Sequence, residues 1–325
     1  LLNYAMTESL QDYVKKRGFA ESFLYLGSKT TSRIRGELEF GTENGTNRYR
    51  FTLVAAAGDI LIFSEESIFF LANGHPRLIE NTLDPGGRES ALPKATIPPL
   101  NHAEMAAARA ISNQLSRKRV YQFHDTSMES RLRKATILDD NRYLRSDGGN
   151  LSAVLFRLQQ DRSDYYRRII LQLRRMIPGF RDFVLEPENE HILLRWRGHD
   201  PEYIFGSHQL SDGSLRLMAL TTLFLQPPED LPDMIIVDEP ELGLHPQAEA
   251  LLAGLIRSAS SRCQVLLATQ SASFVDNFEP EDVIVCEMED TESKFQRPTR
   301  SELAGWLEDY SLGEVWRKNV MGGQP

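Results

Sequence analysis

Cysteine, long apolar runs and secretion signals are scarce or missing in this chain of 325 residues. Its two cysteines, Cys263 and Cys286, lie in apolar stretches without His or Cys at metal-ligand spacing, so we expect buried free thiols and neither a disulfide nor a zinc site. No apolar run approaches the roughly 18 residues of a membrane span, and the longest is interrupted by Arg216. The first residues do not form a signal peptide. These absences predict a soluble protein of the reducing cytoplasm, with no membrane partner.

The periodicity of the chain changes twice, which predicts three parts. Residues 1–101 open with an amphipathic helix and continue as alternating strands, with turn signals at 43–45 and 58–59, the pattern of an antiparallel β lobe. Residues 102–178 carry apolar positions three and four apart, which predicts a helical insertion. Residues 179–325 alternate helix and strand, which implies a parallel sheet. The predicted fold class is therefore α/β.

Positive charge is concentrated near the predicted insertion. The chain has a net charge of -9, yet residues 117–181 contain 15 Lys and Arg against 7 Asp and Glu. Two interpretations stay open. The arginines lie on solvated helix faces, or they form a surface that contacts nucleic-acid phosphates.

The most informative motif is the run MIIVDEPE, from Met234 to Glu241. Four apolar residues without polar alternation predict a strand buried on both faces. Asp238 and Glu239 follow at its carboxyl end, where open parallel sheets bind ligands. This is the layout of a Walker B strand, in which the Asp serves Mg²⁺ and the Glu polarises the attacking water. The alternative is a pair of exposed acids before a proline turn.

A second motif, LSDGSLR from Leu210 to Arg216, precedes a helix that is apolar nearly all round. Ser211 can cap this helix, whose free N–H groups and positive dipole end would form an anion site. Gly213 would let the backbone approach a phosphate closely. A plain capped helix is the alternative, because Ser-Asp-Gly is common in turns.

Taken together, LSDGSLR, IIVDEPELGLHP and LLATQSASFVDNF resemble the ABC-type ATPase heads of the RecF, structural-maintenance-of-chromosomes (SMC) and OLD group. The resemblance to a bacterial family of AAA/ABC ATPases extends to FHDTS at 123–127, SDGGNLSAVL at 146–155 and the C-terminal GEVWRKNVMGGQP, and so to nearly the whole chain. It implies a P-loop NTPase-like mixed sheet with an antiparallel β lobe and a short helical insertion. It also implies ATP and Mg²⁺ as cofactors.

The resemblance implies roles for individual residues. Asp238 would hold Mg²⁺ and Glu239 would orient the water, while His245 falls in the D-loop, a segment that communicates between two sites. Gln270 occupies the position of the switch histidine; an amide donates a hydrogen bond but carries no positive charge, which favours a low hydrolysis rate. A purely structural Gln270 is the alternative. The signature residues that would bind the cofactor are Ser211, Asp212, Gly213, Ser214 and Arg216. Of these, Ser211 and Gly213 would act on nucleotide bound to a second subunit.

A phosphate-binding loop of the form G-x-x-x-x-G-K-[ST] occurs nowhere in the chain. The string from Gly27 to Thr30 is not one, because Ser22 stands where the first glycine is needed. In the resembled heads this loop lies near the N-terminus, so we expect it, with the first strand, upstream of Leu1. A degenerate ATPase without the loop is the alternative.

Two functions of different classes follow from the resemblance. The first is a nucleotide-gated switch, in which two heads close as a homodimer on two ATP molecules and act with a separate effector or nuclease subunit, and with DNA, in bacterial defence or repair. The second is a non-hydrolysing scaffold that assembles a partner protein, which Gln270 favours. A transporter subunit fits less well, since such heads carry LSGGQ and a switch histidine. No second acidic cluster is present, so we do not expect the chain itself to cut DNA.

Overall fold

The computed structural model describes residues 1–6, 9–42, 45–72, 78–83, 85–93, 102–200 and 202–323. The chain divides into two units, Leu1–Arg119 and Val120–Pro325. Among the helices in these ranges, none is long and apolar enough to cross a membrane. The predicted three-part division at residues 101 and 178 stays a prediction.

The first unit contains the predicted antiparallel β lobe. Its four strands pair in the order β1-β2-β3-β4, each antiparallel to its neighbour, and alternation along β2 places Tyr49, Phe51 and Leu53 in the core. The helices are α1 (Leu2–Met6), α2 (Leu10–Lys16) and α3 (His102–Ser116). The strands are β1 (Arg33–Thr42), β2 (Gly45–Ala56), β3 (Ile60–Ala72) and β4 (Leu78–Thr82). The β lobe is therefore confirmed.

The opening segment is two helices where the periodicity predicts one. α2 begins at Leu10 because the carboxylate of Glu89 accepts hydrogen bonds from the backbone N–H groups of Leu10 and Gln11, at 2.9 and 3.1 Å, and so satisfies donors that a helix start leaves free. Of the two predicted turns, the one at 43–45 falls largely outside the described residues. The other is confirmed, since Gly58 and Asp59 adopt φ of 87° and 55° between β2 and β3.

The second unit is a mixed α/β fold. Its helices are α4 (Leu151–Asp161), α5 (Ser163–Met176), α6 (Asp212–Leu225), α7 (Pro246–Ser260), α8 (Ala272–Val275), α9 (Arg300–Leu307) and α10 (Leu312–Arg317). The strands, counted from one that starts at the unit boundary, are β5 (Lys118–Tyr121), β6 (Thr136–Ile137), β7 (Asp182–Val184), β8 (His191–Ile192), β9 (Arg195–Arg197), β10 (Ile204–Gly206), β11 (Met234–Asp238), β12 (Gln264–Ala268), β13 (Val285–Glu289) and β14 (Glu292–Gln296).

Four small sheets organise these strands. The sheet that carries the predicted Walker B run has the order β12-β11-β5, and its β11 and β12 run parallel, as the alternating pattern predicts. β10-β9-β7 is antiparallel, and β6-β8 and β13-β14 are two-stranded. Helices α4 to α7 and β11 share one core, in which Leu215, Leu220 and Phe224 of α6 are buried. The apolar helix after the signature is thus a core helix.

One expectation about the cysteines is wrong. Both thiols are free and Cys263 is buried, but Cys286 is exposed. Cys286 lies on β13, which pairs with β14 in a two-stranded ribbon, where Val285 turns inward and Cys286 turns outward. An apolar stretch in such a ribbon has one open face, because successive side chains of a strand point to opposite sides.

Candidate functional site

The carboxyl end of β11 carries the two acids of the first motif. Ile235 and Val237 are buried in the core, which fixes the strand, and Asp238 and Glu239 follow half-buried at its end. Glu239 has φ of 41°, a left-handed conformation that is uncommon for a residue with a side chain, and its N–H donates to the carbonyl of Ala268 on β12 at 2.8 Å. The chain therefore turns sharply where the acids project. The described geometry puts both at one sheet edge.

The signature segment begins α6, as predicted. The Ser211 hydroxyl oxygen accepts from the backbone N–H of Ser214 at 3.1 Å, so Ser211 caps the helix, while Asp212 is exposed beside it. Gly213 is buried, and a Cβ there would lie well inside contact distance of the Gly243 carbonyl oxygen. In this chain Gly213 therefore allows α6 to approach the turn that follows Asp238 and Glu239. Contact of the signature with nucleotide stays a prediction.

Arg216 joins two loops of the site. Its Nε donates to the carbonyl of Phe123 at 3.1 Å, its Nη2 to that of His124 at 3.0 Å, and its Nη1 to that of Leu242 at 2.8 Å. These bonds connect α6 to the FHDTS segment and to the predicted D-loop. Arg216, which the resemblance counts as a cofactor contact, thus also has a structural role, because charge-assisted bonds to three carbonyls are strong.

Arg133 is a site residue that the sequence did not predict. Its side chain is buried, and Nε donates to the Thr126 carbonyl at 2.8 Å while Nη2 pairs with the Asp212 carboxylate at 2.9 Å. Further bonds run from the same guanidinium to the carbonyls of Ser207 and Leu210. Arg133 therefore ties the signature loop to the FHDTS segment. No local pattern signals this, since these partners lie up to 79 residues away.

The predicted D-loop and the predicted switch segment follow the acids. His245 is exposed and caps α7, where its Nδ1 accepts from the N–H of Gln247 at 3.3 Å. Gln270 is exposed, two residues beyond the end of β12. Behind it, the Thr269 hydroxyl donates to the buried carboxyl of Glu241. Glu241, the last of the three acids of DEPE, thereby links the turn after β11 to the predicted switch segment, a contact that the sequence did not predict.

The donor set suits a magnesium ion that is bound together with phosphate. Among the residues that the structure describes, no three His, Cys, Asp or Glu side chains are grouped so as to hold a metal by themselves. Mg²⁺ commonly takes one or two protein carboxylates and completes its shell with water and phosphate oxygens. Asp238, half-buried at the end of β11, offers such a carboxylate.

Comparison with known proteins places this geometry in context. A family model described as "AAA domain, putative AbiEii toxin, Type IV TA system" matches residues 18–276. An Smc head bound to the C-terminal winged-helix domain of ScpA is 14% identical with a TM-score of 0.54, over 94% of this chain and 86% of that one. The Smc head from Pyrococcus furiosus, with an extended coiled coil, is 13% identical with a TM-score of 0.46, over 95% and 89%. No curated protein matches. The Smc head bound to the winged-helix domain shows that the fold is that of an SMC-type head.

Proposed function

Since the chain belongs to this AAA-domain family, whose model covers residues 18–276, we propose that it binds ATP with Mg²⁺ and hydrolyses it as a nucleotide-gated dimeric switch. The observation that carries the proposal is the convergence of four segments in the second unit. The Walker B acids, the switch strand β12, the D-loop and the signature are joined by the Glu239–Ala268 bond, by Arg216 and by the close approach at Gly213. A plain capped helix or a plain strand end would not need this convergence.

In the proposed reaction Asp238 holds the magnesium ion and Glu239 orients the attacking water. When bound, Mg²⁺ would neutralise charge on the phosphate oxygens. The segment from Ser211 to Arg216 contacts nucleotide on a second copy, with free backbone N–H groups at the start of α6 directed to phosphate. His245 and Gln270 lie at the D-loop and switch positions and report the state of the site.

The switch follows from differential binding. A ligand shifts an equilibrium only if it contacts one state better than the other, and the γ-phosphate would meet Ser211 and Gly213 of the partner only in the closed dimer. Moving such an equilibrium from 1:99 to 99:1 takes about 5.5 kcal/mol of differential binding, which two sandwiched nucleotides share. Hydrolysis removes that contribution and reopens the dimer.

A nucleic-acid partner is favoured by the outer face of α5. Many basic residues near the predicted insertion are paired, as in Arg157–Asp230 and Arg131–Asp147. Within the described residues, four exposed arginines of α5 form no ion pair with a carboxylate; they are Arg167, Arg168, Arg174 and Arg175. We propose that this face, termed the α5 arginine face, contacts the backbone of DNA. Work in bacterial defence or repair, with a separate effector or nuclease subunit, is part of the same proposal.

The alternative of a non-hydrolysing scaffold is favoured by Gln270. An exposed amide at the switch position lacks the charge of a protonated imidazole, which would lower the rate. The scaffold would use the same ATP-dependent closure to assemble a partner protein. The Smc head of the comparison was solved with such a partner, ScpA. The two functions differ in turnover alone.

Steady-state phosphate release separates them. We expect the protein to release phosphate in the presence of ATP and Mg²⁺, and E239Q to release it on the order of 10²-fold or more slowly because its side chain no longer accepts a proton. E186Q, which changes an exposed glutamate outside the site, is the matched control. A negligible wild-type rate would favour the scaffold. Incubation with labelled duplex DNA and Mg²⁺ tests the expected lack of intrinsic cleavage.

A further inference from the structure

His124 lies against the turn that carries the Walker B acids. It belongs to the FHDTS segment that follows β5, and its Nε2 is 2.9 Å from the carbonyl oxygen of Asp238. Because a carbonyl oxygen only accepts, Nε2 carries the proton and donates. The resemblance includes His124 only as part of the FHDTS segment and assigns it no role. In the structure the neighbouring Asp125 accepts from Ser127, and the imidazole faces β11.

The peptide unit that His124 contacts is the one between Asp238 and Glu239. Its carbonyl accepts from His124, and its N–H, that of Glu239, donates to the Ala268 carbonyl at 2.8 Å. The plane of this peptide is thus held at both edges. The plane in turn sets φ of Glu239, whose value of 41° is a strained conformation that persists only where the surroundings impose it. The direction in which the Glu239 side chain leaves the backbone depends on these two bonds.

His124 is itself held from behind. The guanidinium of Arg216 donates to the carbonyls of His124 and of Phe123, and Phe123 is buried in the core of the second unit. The Ser130 hydroxyl donates to the carbonyl of Asp125 on the other side of His124. The imidazole is therefore presented from a fixed backbone, and its bond to Asp238 does not depend on a mobile loop tip.

We propose that His124 is a positioning residue for ATP hydrolysis, whose Nε2–H bond to the Asp238 carbonyl orients Glu239 toward the attacking water. This inference rests on the proposed function and concerns a residue to which the resemblance assigns no role. It requires no contact between His124 and the nucleotide. Misplacement of a reacting group by about 1 Å can cost on the order of 10²-fold in rate. Loss of the bond should therefore lower kcat and leave the binding of ATP nearly unchanged.

Variants that move the donor test the idea. Glutamine places its Nε2 donor as many bonds from Cβ as histidine places Nε2, whereas asparagine places its donor where histidine has Nδ1, and leucine has none. We expect H124L and H124N to lower kcat for phosphate release about 10- to 100-fold, with KM for ATP changed about twofold or less, and H124Q to retain most of the wild-type kcat. H191N, at an exposed histidine, is the control and should match the wild type.

The outcomes separate this inference from the proposed function. If phosphate release depends on Glu239 but H124N and H124Q release phosphate at equal rates, the positioning role is overturned and the ATPase activity is not. A change in KM with unchanged kcat would overturn it as well. A wild-type chain without Glu239-dependent release would overturn both. If thermal unfolding shows that H124L is not folded, the comparison of H124N with H124Q decides, since both amide side chains are polar and differ only in length.

Discussion

At the scale of single residues, Glu241 is the buried acid with the clearest consequence. Its side chain is 7% exposed, one carboxyl oxygen accepts from Thr269, and the other has no partner within the described part of the chain. Burial raises the pKa of this carboxyl, the bond from Thr269 opposes the rise, and the nearby Glu239 and Glu249 add to it. Glu241 is thus held as a neutral acid to higher pH than an exposed glutamate.

The sign of the resulting pH dependence follows from linkage. Between the ordinary pKa of 4.5 and the raised one, the folded state binds the proton of Glu241 more tightly than the unfolded state does, so stability falls as pH rises through this window. For one proton the slope reaches about 1.4 kcal/mol per pH unit. We expect E241Q, which stays neutral and can still accept from Thr269, to lack this slope. Chemical denaturation of wild type and variant across pH measures it.

An acid of opposite behaviour provides the control. The backbone N–H of Thr299 donates to Glu302 at 2.7 Å, and this bond lowers the pKa of Glu302. The contribution of Glu302 to stability is therefore present above its ordinary pKa and is lost as pH falls. The difference in free energy of unfolding between wild type and E302Q should increase as pH rises, whereas the difference between wild type and E241Q should decrease. Equal pH profiles for E241Q and wild type would contradict the assignment to Glu241.

Single residues also show what the sequence could and could not reveal. Asp238, Glu239 and Ser211 were predicted because their signals are local: an apolar run that ends in acids, and a serine before a helix. The contacts of His124 with Asp238 and of Arg133 with Asp212 join residues 114 and 79 positions apart. No spacing rule covers such pairs, since the fold alone brings them together.

At the scale of elements, α5 carries four exposed arginines that form no ion pair with a carboxylate among the described residues. Tyr166, Ile169 and Leu173, which are three and four positions apart, bury one face of the helix, and this directs the arginines to the other face. Leu171, 57% exposed, lies among them. Arginine forks suit phosphate oxygens, and the lack of ion pairs to carboxylates on this face within the described residues leaves them available.

Salt dependence of DNA binding measures this face. Each phosphate contact contributes about 0.9 to the slope of log K against log salt for duplex DNA, so R174Q/R175Q should weaken binding uniformly across sequences and lower the slope by roughly 2. Fluorescence anisotropy with labelled duplexes over a salt series gives both values. R48Q/R50Q removes the same charge from arginines that pair with Glu37 and Glu39, and should leave the slope unchanged. Equal slopes for both double variants would contradict the proposal.

The elements themselves were largely predictable. Alternation along β2 and the apolar run of β11 act within one element, and both strands form. The predicted burial of β11 on both faces is wrong, because Ile235 and Val237 are buried but Ile236, on the other face, is only half-buried. The interruption of the opening helix and the open face of β13 were not predictable. The first depends on a carboxylate 79 residues away, at Glu89, and the second on which strands pair with β13. The periodicity of a helix or strand shows which residues share a face, but it does not show which other elements cover that face.

At the scale of the whole molecule, the proposed switch requires that two copies meet. A signature that acts in trans leaves each chain incomplete, since Ser211 and Glu239 then serve different nucleotides. E239Q should hold ATP without cleaving it and so keep the dimer closed. Light scattering on the full-length E239Q protein should give the mass of one chain without nucleotide and of two chains with ATP and Mg²⁺.

A second substitution in the E239Q protein distinguishes loss of the contact in trans from simple loss of a helix cap. Ser211 caps α6 and Ser311 caps α10, and each accepts from a backbone N–H three residues on. Replacement of either by alanine costs about 0.5–2 kcal/mol of stability. We expect E239Q/S211A to stay mostly monomeric with ATP, and E239Q/S311A to dimerise like E239Q. Dimers in both double variants would contradict a signature in trans, and a single-chain mass for E239Q itself would contradict closure on ATP.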